Sequence, residues 1–147
     1  MINGIHHIAI STGNLQRALE FYRDLMGFAV VRDGEWSKGT SKLNRIMSLQ
    51  DSSAKMAMVD ARNIVIEIFE FESPAPKPGD PDRPVCDHGY THICLNTSDV
   101  EAEYERLTAA GMRFHCPPQR LGTDKVTYGR DPDGNVIELL ETGSLKK

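Results

Sequence analysis

The strongest constraint on the fold of this chain is an internal repeat. The stretch "GIHHIAIST", which begins at Gly4, matches "GYTHICLNT", which begins at Gly89, at its glycine, histidine, isoleucine and threonine positions. The ends of the two copies match as well, because the "VIE" at Val65 recurs at Val136. Self-similarity of this kind indicates two copies of one supersecondary unit. Neither copy can bury a sheet face alone, so we expect the two to pair.

A helix is predicted after the first strand of each copy. In "NLQRALEFYRDLMG" the apolar residues recur at helical spacing, Asn14 is a suitable N-cap and Gly27 a suitable stop. In "SDVEAEYERLTAAG", Ser98 and Glu101 have the spacing of a capping box, and Gly111 ends the helix.

Short strands are predicted after each helix. They are "FAVVR", "RIMSLQ" and "AKMAMVD" before the strand at 63–71, then "RFHC" and "DKVTYGR" before the strand at 135–141. The turn signal "DPDG" makes the last two strands a hairpin. The fold class is therefore α+β, with two tandem βαβββ modules whose curved mixed sheets pair around a shared cleft.

The 147 residues are the usual length of a single compact domain. We assign the first module to residues 1–73 and the second to residues 89–147. The linker at 74–88 holds most of the eight prolines of the chain. The first module also carries a polar insertion, "DGEWSKGTSKLN", before its third strand.

Composition excludes several classes of function. The net charge is −4 and no long basic run occurs, so neither nucleic acid nor an anionic membrane is an expected partner. The N-terminus does not resemble a signal peptide, and no apolar stretch is long enough to span a membrane. The three cysteines lack metal-site spacing and are interpreted as free thiols, which favours a cytoplasmic location.

Two glutamates occupy positions where an ionised side chain is costly to desolvate. Glu67 and Glu138 each lie in the centre of an apolar strand, where an ionised carboxylate needs a compensating positive charge. His7 and His92 hold equivalent places on the first strand of each copy. If the sheets curve so that these faces meet, two imidazoles and two carboxylates converge in the cleft.

Such a set of two nitrogen and two oxygen donors suits one divalent first-row ion, whether nickel, zinc, cobalt, manganese or iron. It would make the cleft metal-lined and keep both carboxylates ionised. Taken singly, each histidine is as well explained as a core residue and each glutamate as the partner of an arginine. Four matched positions in two repeats favour the metal site.

The chain also resembles the vicinal oxygen chelate superfamily, which includes glyoxalase I, methylmalonyl-CoA epimerase, extradiol dioxygenases, and fosfomycin- and bleomycin-resistance proteins. The resemblance covers nearly the whole chain, through "HHIAI", "ALEFYRDLMGF", "VIEIFE", "THICLNT" and "DPDGNVIELLE". The ligand positions of the family fall on His7, Glu67, His92 and Glu138.

The resemblance implies an isomerase, epimerase or lyase of the glyoxalase type that removes a proton beside a carbonyl group. In that chemistry the metal stabilises the enolate or enediolate, and Glu67 and Glu138 are both candidates for the catalytic base. Glutathione is a doubtful substrate, because Ser11 stands where glyoxalase I has an arginine. The family also implies a homodimer and a small carbonyl-containing substrate.

Two alternatives stay open at this point. One is an Fe(II) extradiol-type dioxygenase, although that class uses three ligands and has no acid at the position of Glu67. The other is a resistance protein that binds a small molecule without turning it over.

Candidate substrate contacts are Tyr128, which can aim its hydroxyl into the cleft, and Trp36, Asn44 and Arg45 in or beside the insertion. Tyr128 is equally suited to core packing, and the insertion to an exposed loop. His6 is expected to point to the face opposite His7.

Overall fold

The computed structural model describes residues 1–143 and contains two compact units, Met1–Pro78 and Gly79–Lys147. In the first unit the elements are β1 (His7–Ser11), α1 (Leu15–Leu19), a π-helical segment (Glu20–Leu25), β2 (Ala29–Trp36), α2 (Ser41–Met47), β3 (Ser53–Asp60) and β4 (Val65–Ser73). In the second they are β5 (His92–Asn96), α3 (Val100–Ala109), β6 (Arg113–Phe114), β7 (Gln119–Leu121), β8 (Asp124–Arg130) and β9 (Val136–Glu141).

Each unit contains one mixed sheet with the same central arrangement. The first sheet has the strand order β1-β4-β3-β2, and the second has β5-β9-β8-β6 with β7 paired to β8. In both, the first strand of the unit runs parallel to the last, and the other pairings are antiparallel. The predicted α+β class is confirmed, and so is the hairpin of the last two strands.

The cores lie between the sheets and their helices. In the first unit Tyr22 is fully buried, as are alternate residues of β3 and β4, among them Val59, Ile66 and Ile68. In the second, Leu107 of α3 is buried together with Ile137 of β9. Strand alternation therefore commits one face of each sheet to a helix and leaves the other face for Glu67 and Glu138.

Helix boundaries follow side-chain capping. Asn14 accepts a hydrogen bond from the backbone of Arg17, as predicted, and Gly27 has a φ of +74°. The predicted cap at Ser98 is wrong. Asp99 has the extended N-cap conformation, and its side chain accepts from the backbone of Ala102.

The predicted strand "RIMSLQ" is also wrong. Most of its apolar residues belong to α2, which begins inside the polar insertion, and the helix ends at Ser48 with a left-handed backbone. The chain between Ser48 and β3 is a turn, so the first unit keeps three strands after α1. Two further strands differ in extent: β2 continues to Trp36, and β6 ends at Phe114.

The proline-rich stretch at 74–88 contains no helix or strand. Arg83 donates to the backbone oxygens of His88 and Tyr90, and Arg130 of β8 donates to the backbone oxygen of Arg83. The end of this stretch is therefore held by the second unit. None of the helices in the described residues is long and apolar enough to cross a membrane.

Candidate metal centre

The first unit places His7 beside Glu67. Strands β1 and β4 are parallel, with His7 opposite Val65 and Ala9 opposite Glu67. His7 Nε2 lies 3.4 Å from Glu67 Oε2. The side chain of Glu67 is only 16% exposed, because it sits between half-buried apolar residues of its own strand.

The second unit repeats this arrangement in the same register. His92 is opposite Val136, and Cys94 is opposite Glu138. His92 Nε2 lies 2.8 Å from Glu138 Oε2, and the Glu138 side chain is 15% exposed. The structure thus brings the four predicted ligands together as two histidine–glutamate pairs, one in each unit.

In the part of the chain that the structure describes, neither carboxylate is neutralised by a lysine or an arginine. Within residues 1–143, no lysine or arginine lies at ion-pair distance from Glu67 or Glu138. The simple alternative from the sequence, an arginine partner, therefore does not apply to the described residues. Each half-buried carboxylate faces an imidazole nitrogen instead, and that nitrogen is a donor atom for a metal ion.

The residue before each histidine contacts the other ring nitrogen. Thr91 Oγ1 lies 2.9 Å from His92 Nδ1, and His6 Nδ1 lies 2.9 Å from His7 Nδ1. The rings of His6 and His7 meet edge to face at 5.2 Å, so the prediction that His6 points away is wrong. A partner at Nδ1 fixes the orientation of a ligating imidazole and leaves Nε2 for the ion. The aligned positions of His6 and Thr91 in the repeat were the available signal for this role.

Cys94 and Tyr128 border Glu138. Tyr128 is the register partner of Glu138 on β8, and its ring lies 5.0 Å from that of His92. Partial burial, and then the charge of Glu138, raise the pKa of the Tyr128 hydroxyl. Desolvation, followed by the charge and hydrogen bond of Glu138, raises the pKa of the partly exposed Cys94 thiol to about 12. Both groups therefore hold their protons next to the carboxylate.

His115 is a second histidine near the ring of Tyr128, in addition to His92. The two rings are 6.2 Å apart, and Arg130 Nε donates to His115 Nε2 over 3.2 Å. Burial, together with the charges of Arg130 and Arg113, lowers the pKa of His115. Its ring adds a second polar group to the Glu138 side of this sheet.

The other predicted substrate contacts differ in their surroundings. Trp36 is half-buried against Phe69 and Phe71, on the Glu67 side of the first sheet. Asn44 instead turns its side-chain oxygen to Ser52, from which it accepts two hydrogen bonds. Arg45 follows on α2 with an exposed side chain.

An acidic cluster in the second unit is explained by other contacts. Asp99, Glu101 and Glu141 bring ligand atoms within 4.8 Å of one another. Lys125 Nζ, however, lies 2.9 Å from Glu101 and 3.4 Å from Glu141, and Glu141 also accepts from the backbone of Val100. Glu101 and Glu141 of this cluster therefore form ion pairs with Lys125, and Glu141 also accepts a hydrogen bond at the N-terminus of α3.

A groove of about 530 Å³ lies in the first unit between α1 and strands β2 and β3. Its lining includes Leu15 and Leu19 of the helix. It is on the helix side of the sheet, whereas Glu67 projects from the other side.

Comparison with known proteins agrees with this architecture. Residues 4–139 match the family described as the Glyoxalase/Bleomycin resistance protein/Dioxygenase superfamily. A "Probable lactoylglutathione lyase" of Synechocystis is 26% identical, with 95% of this chain and 96% of the relative covered. The "2-epi-5-epi-valiolone epimerase" of an Actinomyces species is 28% identical, with 92% of this chain and 78% of the relative covered.

The "Metallothiol transferase FosB" of Staphylococcus epidermidis is 30% identical, with 99% of this chain and 88% of the relative covered. The crystal structure of a glyoxalase family protein from Bacillus cereus superposes with a TM-score of 0.86 at 20% identity, covering 96% of this chain and 95% of that one. The match to the family model spans almost the whole sequence. The chain belongs to the Glyoxalase/Bleomycin resistance protein/Dioxygenase superfamily.

Proposed function

We propose that this protein is a divalent-metal-dependent isomerase, epimerase or lyase that removes a proton beside the carbonyl group of a small molecule. His7, Glu67, His92 and Glu138 are the proposed ligands of one ion per chain. The observation that carries the proposal is the recurrence of one histidine–glutamate pair, in the same strand register, in both units.

The donor atoms within each pair have suitable spacing for a shared ion. Nitrogen and oxygen ligands bind a zinc-like ion at roughly 2.0–2.2 Å, so two neighbouring ligands of one ion lie about 3 Å apart. The separations of 3.4 Å and 2.8 Å bracket that value. Imidazole and carboxylate donors suit nickel, zinc, cobalt, manganese and iron, so the donor set supports a first-row ion without selecting one.

A bound divalent ion would polarise the substrate carbonyl and stabilise the negative charge that follows proton removal. The chain supplies the remaining groups. Glu67 and Glu138 are the two proposed bases, since each is a carboxylate held in a partly dehydrated position. The raised pKa of Tyr128 keeps its hydroxyl protonated, so that it can donate a hydrogen bond to a substrate oxygen.

We further propose Tyr128 and Trp36 as substrate contacts, with Arg45 at the exposed edge of the insertion. Homodimer formation and a cytoplasmic location are part of the same proposal. The first rests on the family resemblance, and the second on the interpretation of the three cysteines as free thiols. The relatives named lyase and epimerase support the reaction class.

The relative named metallothiol transferase supports a second candidate, a transferase activity of the kind that its name states. The resemblance implies three ligands for fosfomycin-resistance proteins, with no acid where Glu67 stands. Here Glu67 is present and paired with His7, which favours proton transfer over that candidate.

Elemental analysis tests the proposal directly. The protein, its His92→Ala and Glu67→Gln variants, and a His88→Ala control at an exposed histidine are loaded with nickel, zinc, manganese or iron and then dialysed. We expect about one ion per chain in the parent and the control, and loss of the ion in His92→Ala. Hydrogen exchange with deuterated solvent is then measured on 2-oxo aldehyde adducts and acyl-CoA epimers. An absence of bound ion in the parent protein with all four metals would contradict the proposal.

A further inference from the structure

Three aromatic rings cluster on the Glu67 side of the first sheet. The Trp36 ring lies 5.9 Å from that of Phe69 and 5.8 Å from that of Phe71, nearly perpendicular to both. Phe69 and Phe71 are 5.4 Å apart. All three side chains are half-buried, so each still offers accessible ring surface.

Strand geometry links this cluster to the candidate metal ligand. Glu67, Phe69 and Phe71 alternate along β4 and therefore project from one face. Trp36 reaches the same face from the end of β2, because its register partner on β3, Ala54, is also the partner of Phe71. Alternate residues of a strand are about 7 Å apart, so the nearest ring begins one such step from Glu67.

The indole of Trp36 is held by a polar chain from the insertion. Trp36 Nε1 donates to Ser52 Oγ over 3.0 Å. Ser52, which is fully buried, donates its hydroxyl and its backbone N–H to Asn44 Oδ1, over 2.6 Å and 2.9 Å. Asn44 lies on α2, so the helix of the insertion fixes the ring. Because the indole N–H is already used, Trp36 presents apolar ring surface to whatever binds beside it.

The fold itself does not require this cluster. In the repeat, Phe69 and Phe71 correspond to Leu140 and Thr142 of the second unit, which builds an equivalent sheet without them. In the described residues, the second unit also has no helix between β6 and β8, the strands that take the sheet positions of β2 and β3. The aromatic cluster and the helix that orients it are thus additions to one half of the molecule, on the side where the carboxylate projects.

We propose that Trp36, Phe69 and Phe71 bind an aryl group carried by the substrate next to its carbonyl, and that Asn44 and Ser52 are positioning residues for Trp36. The placement beside Glu67 rests on the function proposed above. Glu67 and Phe69 are one alternate position apart on β4, so the ring is expected to be attached to the carbonyl carbon directly or through a short link. The substrate class is therefore an aryl-substituted carbonyl compound.

Calorimetric titration tests the ring preference with two non-reacting 2-oxo acids. Phenylglyoxylate carries the ring, and pyruvate has a methyl group in its place. We expect the metal-loaded protein to bind phenylglyoxylate about tenfold more tightly, in line with one well-packed aromatic contact. Equal affinities would overturn the proposal.

The positioning role is tested by three substitutions on α2. Asn44→Ala should reduce the preference for phenylglyoxylate to about twofold while affinity for pyruvate stays unchanged. Asn44→Asp, which keeps both acceptor contacts to Ser52, should restore the preference, and the exposed Lys42→Ala should leave it intact. A full preference in Asn44→Ala would overturn the role of Asn44. If that variant does not fold, Trp36→Leu is the replacement, and an unchanged preference there overturns the aryl site.

Benzyl alcohol separates this inference from the metal-dependent function, because it has the ring and no carbonyl. Trp36 is the sole tryptophan of the chain, so its fluorescence reports on this cluster alone. In chelator-treated protein, benzyl alcohol should still shift the Trp36 emission, and Asn44→Ala should weaken that response. If the Trp36 emission responds in this way but the protein binds no detectable metal, the aryl site stands and the proposed metal-dependent activity is rejected. Absence of any response would reject the aryl site whatever the metal analysis finds.

Discussion

Thr91 Oγ1 lies 2.9 Å from Nδ1 of His92 while His92 Nε2 faces Glu138 at 2.8 Å, so both nitrogens of this ring are engaged. A metal ion at Nε2 would require the proton on Nδ1, and Thr91 would then accept it in a hydrogen bond. Partners of this kind hold the tautomer and the ring orientation of a ligating histidine.

We therefore expect Thr91→Val to weaken the binding of a divalent ion by about tenfold, at the lower end of the usual effect for such partners. Thr91→Ser keeps the hydroxyl and should bind as the parent does. Competition with a chromogenic chelator measures both affinities. An unchanged affinity in Thr91→Val would show that the hydroxyl does not orient the ring.

Much of this arrangement could be predicted from the sequence alone. The shared sequence Val-Ile-Glu, followed by two apolar residues, predicted equivalent strands around Glu67 and Glu138, and the structure gives both the same register with their histidine strands. The pairing of each histidine with the glutamate of its own unit could not be predicted. It depends on the parallel pairing of β1 with β4 and of β5 with β9, and the two strands of each pair lie far apart in the chain. Hydrogen-bond partners such as Thr91 depend on side-chain rotamers, which periodicity does not encode.

The insertion was the part that the sequence predicted least well. The apolar run at Ile46 and Met47 suits a strand or a helix equally, and short runs of this kind are not resolved by periodicity. The structure forms α2 there, and the hydrogen bonds of Asn44 to Ser52 connect it to the start of β3. At α3 the predicted cap was Ser98, and the extended backbone and side-chain hydrogen bond of Asp99 place the cap one residue later.

The high pKa of Cys94 predicts slow alkylation in protein stripped of metal. Desolvation and the neighbouring Glu138 raise this pKa to about 12, so little reactive thiolate forms at pH 9. All three cysteines are exposed, so the low thiolate fraction of Cys94, and not its access, should make it the last to react with iodoacetamide. Peptide mass spectrometry after timed quenching measures each site.

Removal of the Glu138 charge tests whether this carboxylate raises the pKa of Cys94. A nearby negative charge disfavours the thiolate, so Glu138→Gln should lower the pKa of Cys94 and accelerate its alkylation several-fold, while desolvation still keeps that pKa elevated. Glu105→Gln, an exposed charge removal on α3, should not change the rate. Equal rates in the parent and Glu138→Gln would contradict the assignment of Glu138 as a cause.

Glu70 stabilises the start of α1 from the neighbouring strand. Its Oε2 accepts a hydrogen bond from the backbone of Leu15 over 2.7 Å, and Glu141 makes the equivalent contact to Val100 in the second unit. The carboxylate satisfies a free N–H of the first turn and interacts favourably with the helix dipole.

Glu70→Ala should therefore lower the free energy of unfolding by about 0.5–2 kcal/mol, the usual range for loss of a helix N-terminal acceptor. Glu70→Gln retains an acceptor oxygen and should lose less. Glu72→Ala, at an exposed position on the same strand, is the matched control. Urea denaturation followed by circular dichroism measures the series, and a Glu70→Ala midpoint equal to that of Glu72→Ala would exclude the capping role.

Substitution of Gly134 tests how firmly the proline-rich stretch around Pro81 is held against the β8–β9 hairpin. A Cβ at this position would overlap the backbone of Pro81, and the residue has a φ of +91°. Gly39 has a closely similar φ, +88°, but a Cβ there would meet nothing within 4 Å. Gly39→Ala should therefore cost only the positive-φ backbone strain, about 1–2 kcal/mol, whereas Gly134→Ala must in addition displace Pro81 and should cost at least about twice as much. Urea denaturation of the two variants isolates the Pro81 contact, because the backbone penalty is common to both. Equal losses of stability would mean that residues around Pro81 move away from the β8–β9 hairpin at little cost, and that the contact contributes little to folding.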